Sequence, residues 1–203
     1  LDMPTAAFEK AKWQIPWEEG MIDKNDMPSG GTHAALLSIP KENAAKGALL
    51  NICFDNEASE RSLDGAALLK RLPAIAAASG YCYTATACPS HPFDLVEKIR
   101  NGWAAKGAAY IHILCPCPVG WGFDAQDTVR IGRMAVEARI FPLYELVNGY
   151  AQITCDDPNP RPLKEYIKAQ ERFASWNAKK IEALQVAVTA AFGALKDKTQ
   201  KGI

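Results

Sequence analysis

The sequence predicts an α/β domain built on a largely parallel sheet, followed by a strandless helical extension. Between residues 47 and 157, short continuous apolar runs alternate with stretches of helical composition, and the joints between them are brief. Strands covered on both faces by crossover helices produce this pattern. After Pro158 the texture becomes charged and helical, with no strand-like run. The expected division is an N-terminal arm over 1–29, an α/β domain over 30–157 and a helical extension over 158–203.

Residues 1 to 31 have weak periodicity and are punctuated by Pro4, Pro16 and Pro28, as in an extended arm. "THAALLSIPKENAAK" (32–46) carries helix formers, and Pro40 would kink or end a helix there. "GALLNICF" (47–54) is an apolar run bounded by Gly47 and Asp55, which predicts a buried strand. "DGAALLKRLPAIAAAS" (64–79) predicts a helix capped by Asp64 and stopped by Gly80, with Pro73 as its defect.

"YCYTATA" (81–87) is rich in β-formers. "HPFDLVEKIRNG" (91–102) predicts an amphipathic helix with Pro92 in its first turn and Gly102 at its end. "AAYIHILC" (108–115) is a second buried strand. "DAQDTVRIGRMAVEAR" (124–139) predicts a helix with Val129, Met134, Ala135 and Val136 toward one side. "PLYELVNG" followed by "AQIT" predicts a strand and hairpin around an Asn-Gly turn. The last 40 or so residues read as a pair of helices broken near Ser175–Asn177, a tail of the kind that packs on a neighbour.

Composition narrows the function classes. The chain has 203 residues with 23 acidic and 23 basic side chains, so it lacks the clustered cationic footprint of a nucleic-acid or anionic-membrane binder. No run of about 20 apolar residues is present to span a bilayer. The first residues lack the basic leader and apolar stretch of a secretory signal, and the missing initiator Met suggests processing or trimming. Six cysteines, several in or beside apolar runs, predict reduced thiols in the cytoplasm rather than a disulfide framework.

Four places offer chemistry. Cys115 and Cys117 are two residues apart, so on an extended strand they would share one face and present two thiolates to one metal. Two ligands are too few for a zinc or iron–sulfur site, and small buried thiols beside prolines are the bland alternative. Asp55, Asn56 and Glu57 close the first buried strand, where ligands of parallel sheets gather. They are candidate oxygen ligands for a hard cation such as Mg²⁺, or a simple strand cap. "PSGGTH" (28–33) places a glycine pair ahead of a helix, either a phosphate cradle or an ordinary turn. His33, His91 and His112 have no ligand spacing, and His112, inside an apolar strand, reads as a satisfied core residue.

Taken together, several segments resemble the β subunit of 2-oxoacid:ferredoxin oxidoreductases, the pyruvate synthase and oxalate oxidoreductase group. The likeness runs from about residue 30 to 175. It rests on "NICFDNEA", "YCYTATACPSHPFDLVEKIRNG", "GAAYIHILCPCPVGWGFDAQDTVRIGRMAVEARIFPLYELVNG" and "RPLKEYIKAQERF", in that order. The resemblance implies a three-layer sheet of thiamine-diphosphate-binding type. It also implies a subunit that holds this cofactor through Mg²⁺ beside a [4Fe–4S] cluster. Asn56 and the Ala58 carbonyl match the family's Mg²⁺ ligands, Gly30 and Gly31 its diphosphate turn, and Cys117 its last cluster cysteine. Cys115 stands where the family has a small residue.

Three departures shape the expectation. The family's Gly-Asp-Gly turn reads Pro28-Ser29-Gly30 here, and a serine hydroxyl does not replace a carboxylate against Mg²⁺. The family's long Asn-Thr-Gly loop after "DNEA" is shortened, and its N-terminal cysteines have no counterpart. The expectation is therefore a shortened, degenerate β-type subunit with a structural role, in a cytoplasmic hetero-oligomer with the other oxidoreductase subunits and a ferredoxin-like acceptor. Neither cofactor would be held by this chain alone, and no residue of it is assigned a catalytic role. Two alternatives stand beside it: a competent thiamine-dependent half completed by a partner chain, and a small electron-transfer module using the clustered cysteines.

Overall fold

The computed structural model describes residues 49–56 and 72–201. The expected arm, the 32–46 helix, the Asp64 cap and the residues Gly30, Gly31 and Ala58 lie outside that range. Among the described residues the chain forms one five-stranded sheet. Its strands are β1 (Leu49–Asp55), β2 (Tyr83–Ala87), β3 (Ala108–Leu114), β4 (Tyr144–Val147) and β5 (Tyr150–Ile153). Their spatial order is β1-β3-β2-β4-β5. The first three run parallel, while β4 and β5 add antiparallel strands beside β2.

Burial follows the alternation of side chains along each strand. Tyr83, Ala85, Ala87, Ala109, Ile111 and Ile113 point to one face, where Leu95 and Ile99 of α2 (Pro92–Ala104) cover them. Tyr110 and Cys53 point to the other, against Leu72 and Ala76 of α1 (Leu72–Ala78). Further along that face lie α4 (Thr128–Glu137), α5 (Leu163–Lys168) and α6 (Ala178–Lys201), with the short α3 (Pro118–Trp121) beside them. The architecture is the three-layer α/β sandwich that the sequence predicted. All seven residues of β3, which lies between β1 and β2, are buried, which explains a run that is apolar but for His112.

Several ends follow local chemistry. Gly80 takes φ 99° after α1, and Tyr81 N–H and Gly80 N–H return to the carbonyls of Ala76 and Ala77, a Schellman closure. Pro73 lies within α1, and its carbonyl accepts from Thr84 Oγ1 at 3.0 Å. Asn148 and Gly149, at φ 49° and 87°, make the left-handed pair that a two-residue hairpin between β4 and β5 requires.

Two expectations are corrected. Gly102 does not end α2, which continues to Ala104. It is instead the point of closest approach to the sheet: a Cβ there would lie 3.0 Å from Leu50 Cδ1 and 3.3 Å from Ile111 Cδ1. Val129 is solvent-exposed, and the inward stripe of α4 is Ile131, Met134, Ala135 and Val136. The C-terminal tail also covers its own sheet. Leu184, Val188, Phe192 and Leu195 of α6 are buried, with Leu195 against Tyr144, Leu146 and Ala151.

A polar seam runs under α2. Lys98, almost wholly buried, donates to Asp94 Oδ2 at 2.7 Å and Thr154 Oγ1 at 2.8 Å. Glu145 of β4 accepts from the Tyr83 hydroxyl and from Asn101 Nδ2. Burial lowers the Lys98 pKa, and the Asp94 carboxylate opposes that shift. Burial and Glu145 together raise that of Tyr83.

Gly102→Val will overpack the α2–sheet contact. It is expected to lower unfolding free energy by about 1–3 kcal/mol in urea titration, whereas an unchanged midpoint would show that α2 has room to lift from Leu50 and Ile111.

Candidate functional site

β1 and β3 are parallel neighbours, paired from Leu49–Ala108 to Asp55–Leu114, so their carboxyl ends leave the sheet together. Cys115 N–H extends the ladder by one bond, 2.8 Å to the Asp55 carbonyl. Asn56 and the Pro116-Cys117 turn therefore start side by side, although 60 or so residues separate them in sequence. The tie is direct: Trp121 Nε1 donates to the Asn56 carbonyl at 2.6 Å.

Trp121 is completely buried. The Arg172 guanidinium stacks 3.8 Å above its ring, and Phe123 meets it edge-on. The turn that presents it is built from its own sequence. Cys117 caps α3, its Sγ accepting from Gly120 N–H at 3.3 Å, and Pro118 occupies the first helical position. Gly122 follows in the left-handed region at φ 68°, and a Cβ there would meet Glu171 Cβ at 2.6 Å. Glu171 N–H in turn donates to the Gly122 carbonyl. The Gly-Trp-Gly stretch is thus a fitted turn locked by the 171–173 segment.

The two cysteines do not share a face, which corrects the sequence expectation. β3 ends at Leu114, and Pro116 and Pro118 supply no ladder donors, so alternation does not carry through to residue 117. Cys115 packs with the α2-side cluster, whereas Cys117 packs with the cluster under α4 and α5. Burial, reinforced by Cys88, Asp55 and Cys53, pushes the Cys115 thiol up to about 11.

Asp55, offered by the sequence as a cation ligand, turns inward: its Oδ2 lies 3.2 Å from His112 Nε2. His112 is therefore only partly the satisfied core residue expected. It is buried, pairs with Asp55 and stacks edge-on against Phe141 at 5.2 Å, but its Nδ1 has no partner among the described residues. Asn56 is exposed at the strand end.

All six cysteines of the sequence lie among the described residues, and all are free thiols. Among the described residues no three His, Cys, Asp or Glu side chains converge as metal ligands. Among the described residues the thiols do not gather at one point in the number of four that a [4Fe–4S] cluster takes. The site therefore contains three of the residues the sequence offered, Asp55, Asn56 and Cys117. Trp121 and Arg172 were not singled out, with only the unusual Gly-Trp-Gly to signal them, and nothing in the sequence paired Asp55 with His112.

Two measurements test this geometry. Trp121→Phe removes the donor to the Asn56 carbonyl and is expected to cost about 1–3 kcal/mol in chemical denaturation, with faster amide exchange around Asn56; wild-type values for both would dismiss the tie. Iodoacetamide labelling of Cys115, followed by peptide mass spectrometry, should be slow at pH 8. It should climb about tenfold per pH unit toward pH 11, because the thiolate is the nucleophile. A plateau below pH 9 would contradict the buried environment.

No helix among the described residues is long and apolar enough to cross a membrane. No protein-family model matches the chain. Curated relatives do. The chain is 30% identical to pyruvate synthase subunit PorB of Methanosarcina barkeri, covering 85% of this chain and 75% of that protein. It is 31% identical to the PorB subunit of Methanothermobacter thermautotrophicus, over 85% of this chain and 76% of the relative. Ketoisovalerate oxidoreductase subunit VorB of Pyrococcus furiosus is 35% identical over a shorter stretch, 51% of this chain and 34% of its own length. With these relatives and an α/β sheet of the expected type, the chain belongs to the pyruvate synthase PorB family, the β-type subunits of 2-oxoacid oxidoreductases.

Proposed function

We propose that this chain fills the β position of a 2-oxoacid:ferredoxin oxidoreductase in a structural role. The thiamine diphosphate–Mg²⁺ and [4Fe–4S] sites are incomplete on this polypeptide. Its partners are the other subunits of a cytoplasmic hetero-oligomer that passes electrons to a ferredoxin-like acceptor. The observation that carries the reading is the use made of Cys117. Its sulfur serves as a helix cap in a closed turn, and the other five thiols are distributed through the packed core without converging on it. The residue matching the family's Mg²⁺-binding carboxylate is Ser29, which supports the same conclusion for the diphosphate.

One observation favours a second reading, a competent half completed by a partner chain. Asn56 remains exposed at the end of β1, with its carbonyl held by Trp121. Two substitutions in the purified complex separate the readings. Under the structural role, Cys117→Ser leaves the visible iron–sulfur absorption unchanged and Asn56→Ala leaves bound thiamine diphosphate at its wild-type stoichiometry. Loss of the absorption, or of the coenzyme, establishes the competent half instead.

A further inference from the structure

A second polar concavity lies at the carboxyl end of β2, away from the Asn56–Trp121 tie. It has a volume of about 350 Å³, within the range of small-ligand sites. Ser90 and His91 line it from the turn that opens α2, Arg133 and Glu137 from α4, and Arg139 and Asp157 from the loops beyond α4 and β5. Carboxyl ends of strands in open sheets are where ligands gather.

Its hydrogen-bonding groups are unevenly matched. The acidic side chains already have partners: Glu137 Oε2 accepts from Arg161 Nε at 2.7 Å, and Asp157 Oδ1 from Asn159 N–H at 2.8 Å. Asp94, in the first turn of α2, is held by Lys98. The donors are not all matched. Arg133 is exposed and makes no ion pair or hydrogen bond among the described residues. Arg139 gives Nη2 to Asp156 and to the Asp157 carbonyl, and its guanidinium lies 4.2 Å over the Phe192 ring, yet its buried Nε has no acceptor. A buried N–H without a partner is costly and rare.

The remaining groups suit a negatively charged oxygen. Ser90 Oγ donates to Cys88 Sγ at 3.1 Å and lies 2.9 Å from His91 Nδ1, which fixes the turn that opens α2. The thirteen-residue α2 starts here with Pro92 in its first turn and no side-chain cap, so its positive end faces the same corner. Burial and the nearby Arg133 charge keep His91 below its usual basicity. Positive charge in the cavity therefore comes from the two guanidinium groups, Arg139 held by Asp156 and the Asp157 carbonyl and Arg133 exposed at the rim.

We propose that this cavity binds a small oxyanion, a phosphate or carboxylate group, taken by the Arg133 guanidinium beside Arg139 at the head of α2. The proposal does not depend on the subunit's role at the Asn56 end. The test is calorimetric titration of the purified full chain in a chloride buffer, with inorganic phosphate in one arm and malonate in the other. Saturable binding of at least one is expected. Its affinity should fall about tenfold or more in Arg133→Gln, as loss of a charge-assisted contact implies. Arg130→Gln, on the same helix but paired with Asp127, should bind as wild type. Which arm saturates at lower concentration assigns the ligand as phosphate or carboxylate. No saturable binding in either arm, or equal binding by wild type and Arg133→Gln, overturns the proposal.

Discussion

The parallel ladder between β1 and β3 is the constraint on which the rest of this structure depends. Seven residue pairs, extended by the Cys115–Asp55 bond, bring together two strand ends that lie far apart in sequence. Because the strands are parallel, both chains leave the sheet at the same edge. The Trp121 indole can then reach the Asn56 carbonyl, and the Asp55 carboxylate can reach His112. An antiparallel pairing of the same residues would send these groups to opposite ends of the sheet.

Each face of that sheet is finished differently. The α2 face is closed by a glycine contact at Gly102 and by the Lys98–Asp94 and Tyr83–Glu145 seam. Such buried pairs do little for net stability but are costly to break singly, so they fix how α2 sits. The opposite face carries the larger apolar cluster, in which α4, α5 and α6 meet the Trp121 turn. Arg172 and Glu171 link the C-terminal segment to that turn directly. The helices after Pro158 therefore support the Cys117 region as well as covering the sheet.

Membership of the PorB family gives this geometry its context. Asn56 and the Trp121 turn stand at the carboxyl edge of the sheet, and the same edge continues across β2 to the guanidinium-lined cavity. A subunit fold of this kind concentrates polar strand ends along one rim while its strands stay apolar. Chemistry or binding at the rim can then change while the sheet beneath it is retained.

Much of the architecture was legible without coordinates. Apolar runs of strand length mark buried parallel strands, and Asn148-Gly149 demands a left-handed turn wherever it falls. Gly80 likewise ends α1 because no Cβ opposes its φ. The candidate site was less legible. Asn56 and Cys117 stood out as residue types near strand ends, but nothing local says that β3 lies between β1 and β2. The place where alternation stops before Cys117, and the reach of Arg172 to Trp121, also depend on packing. Local conformational preference determined the elements. Strand order and helix packing, which depend on burial across the whole chain, decided which side chains meet.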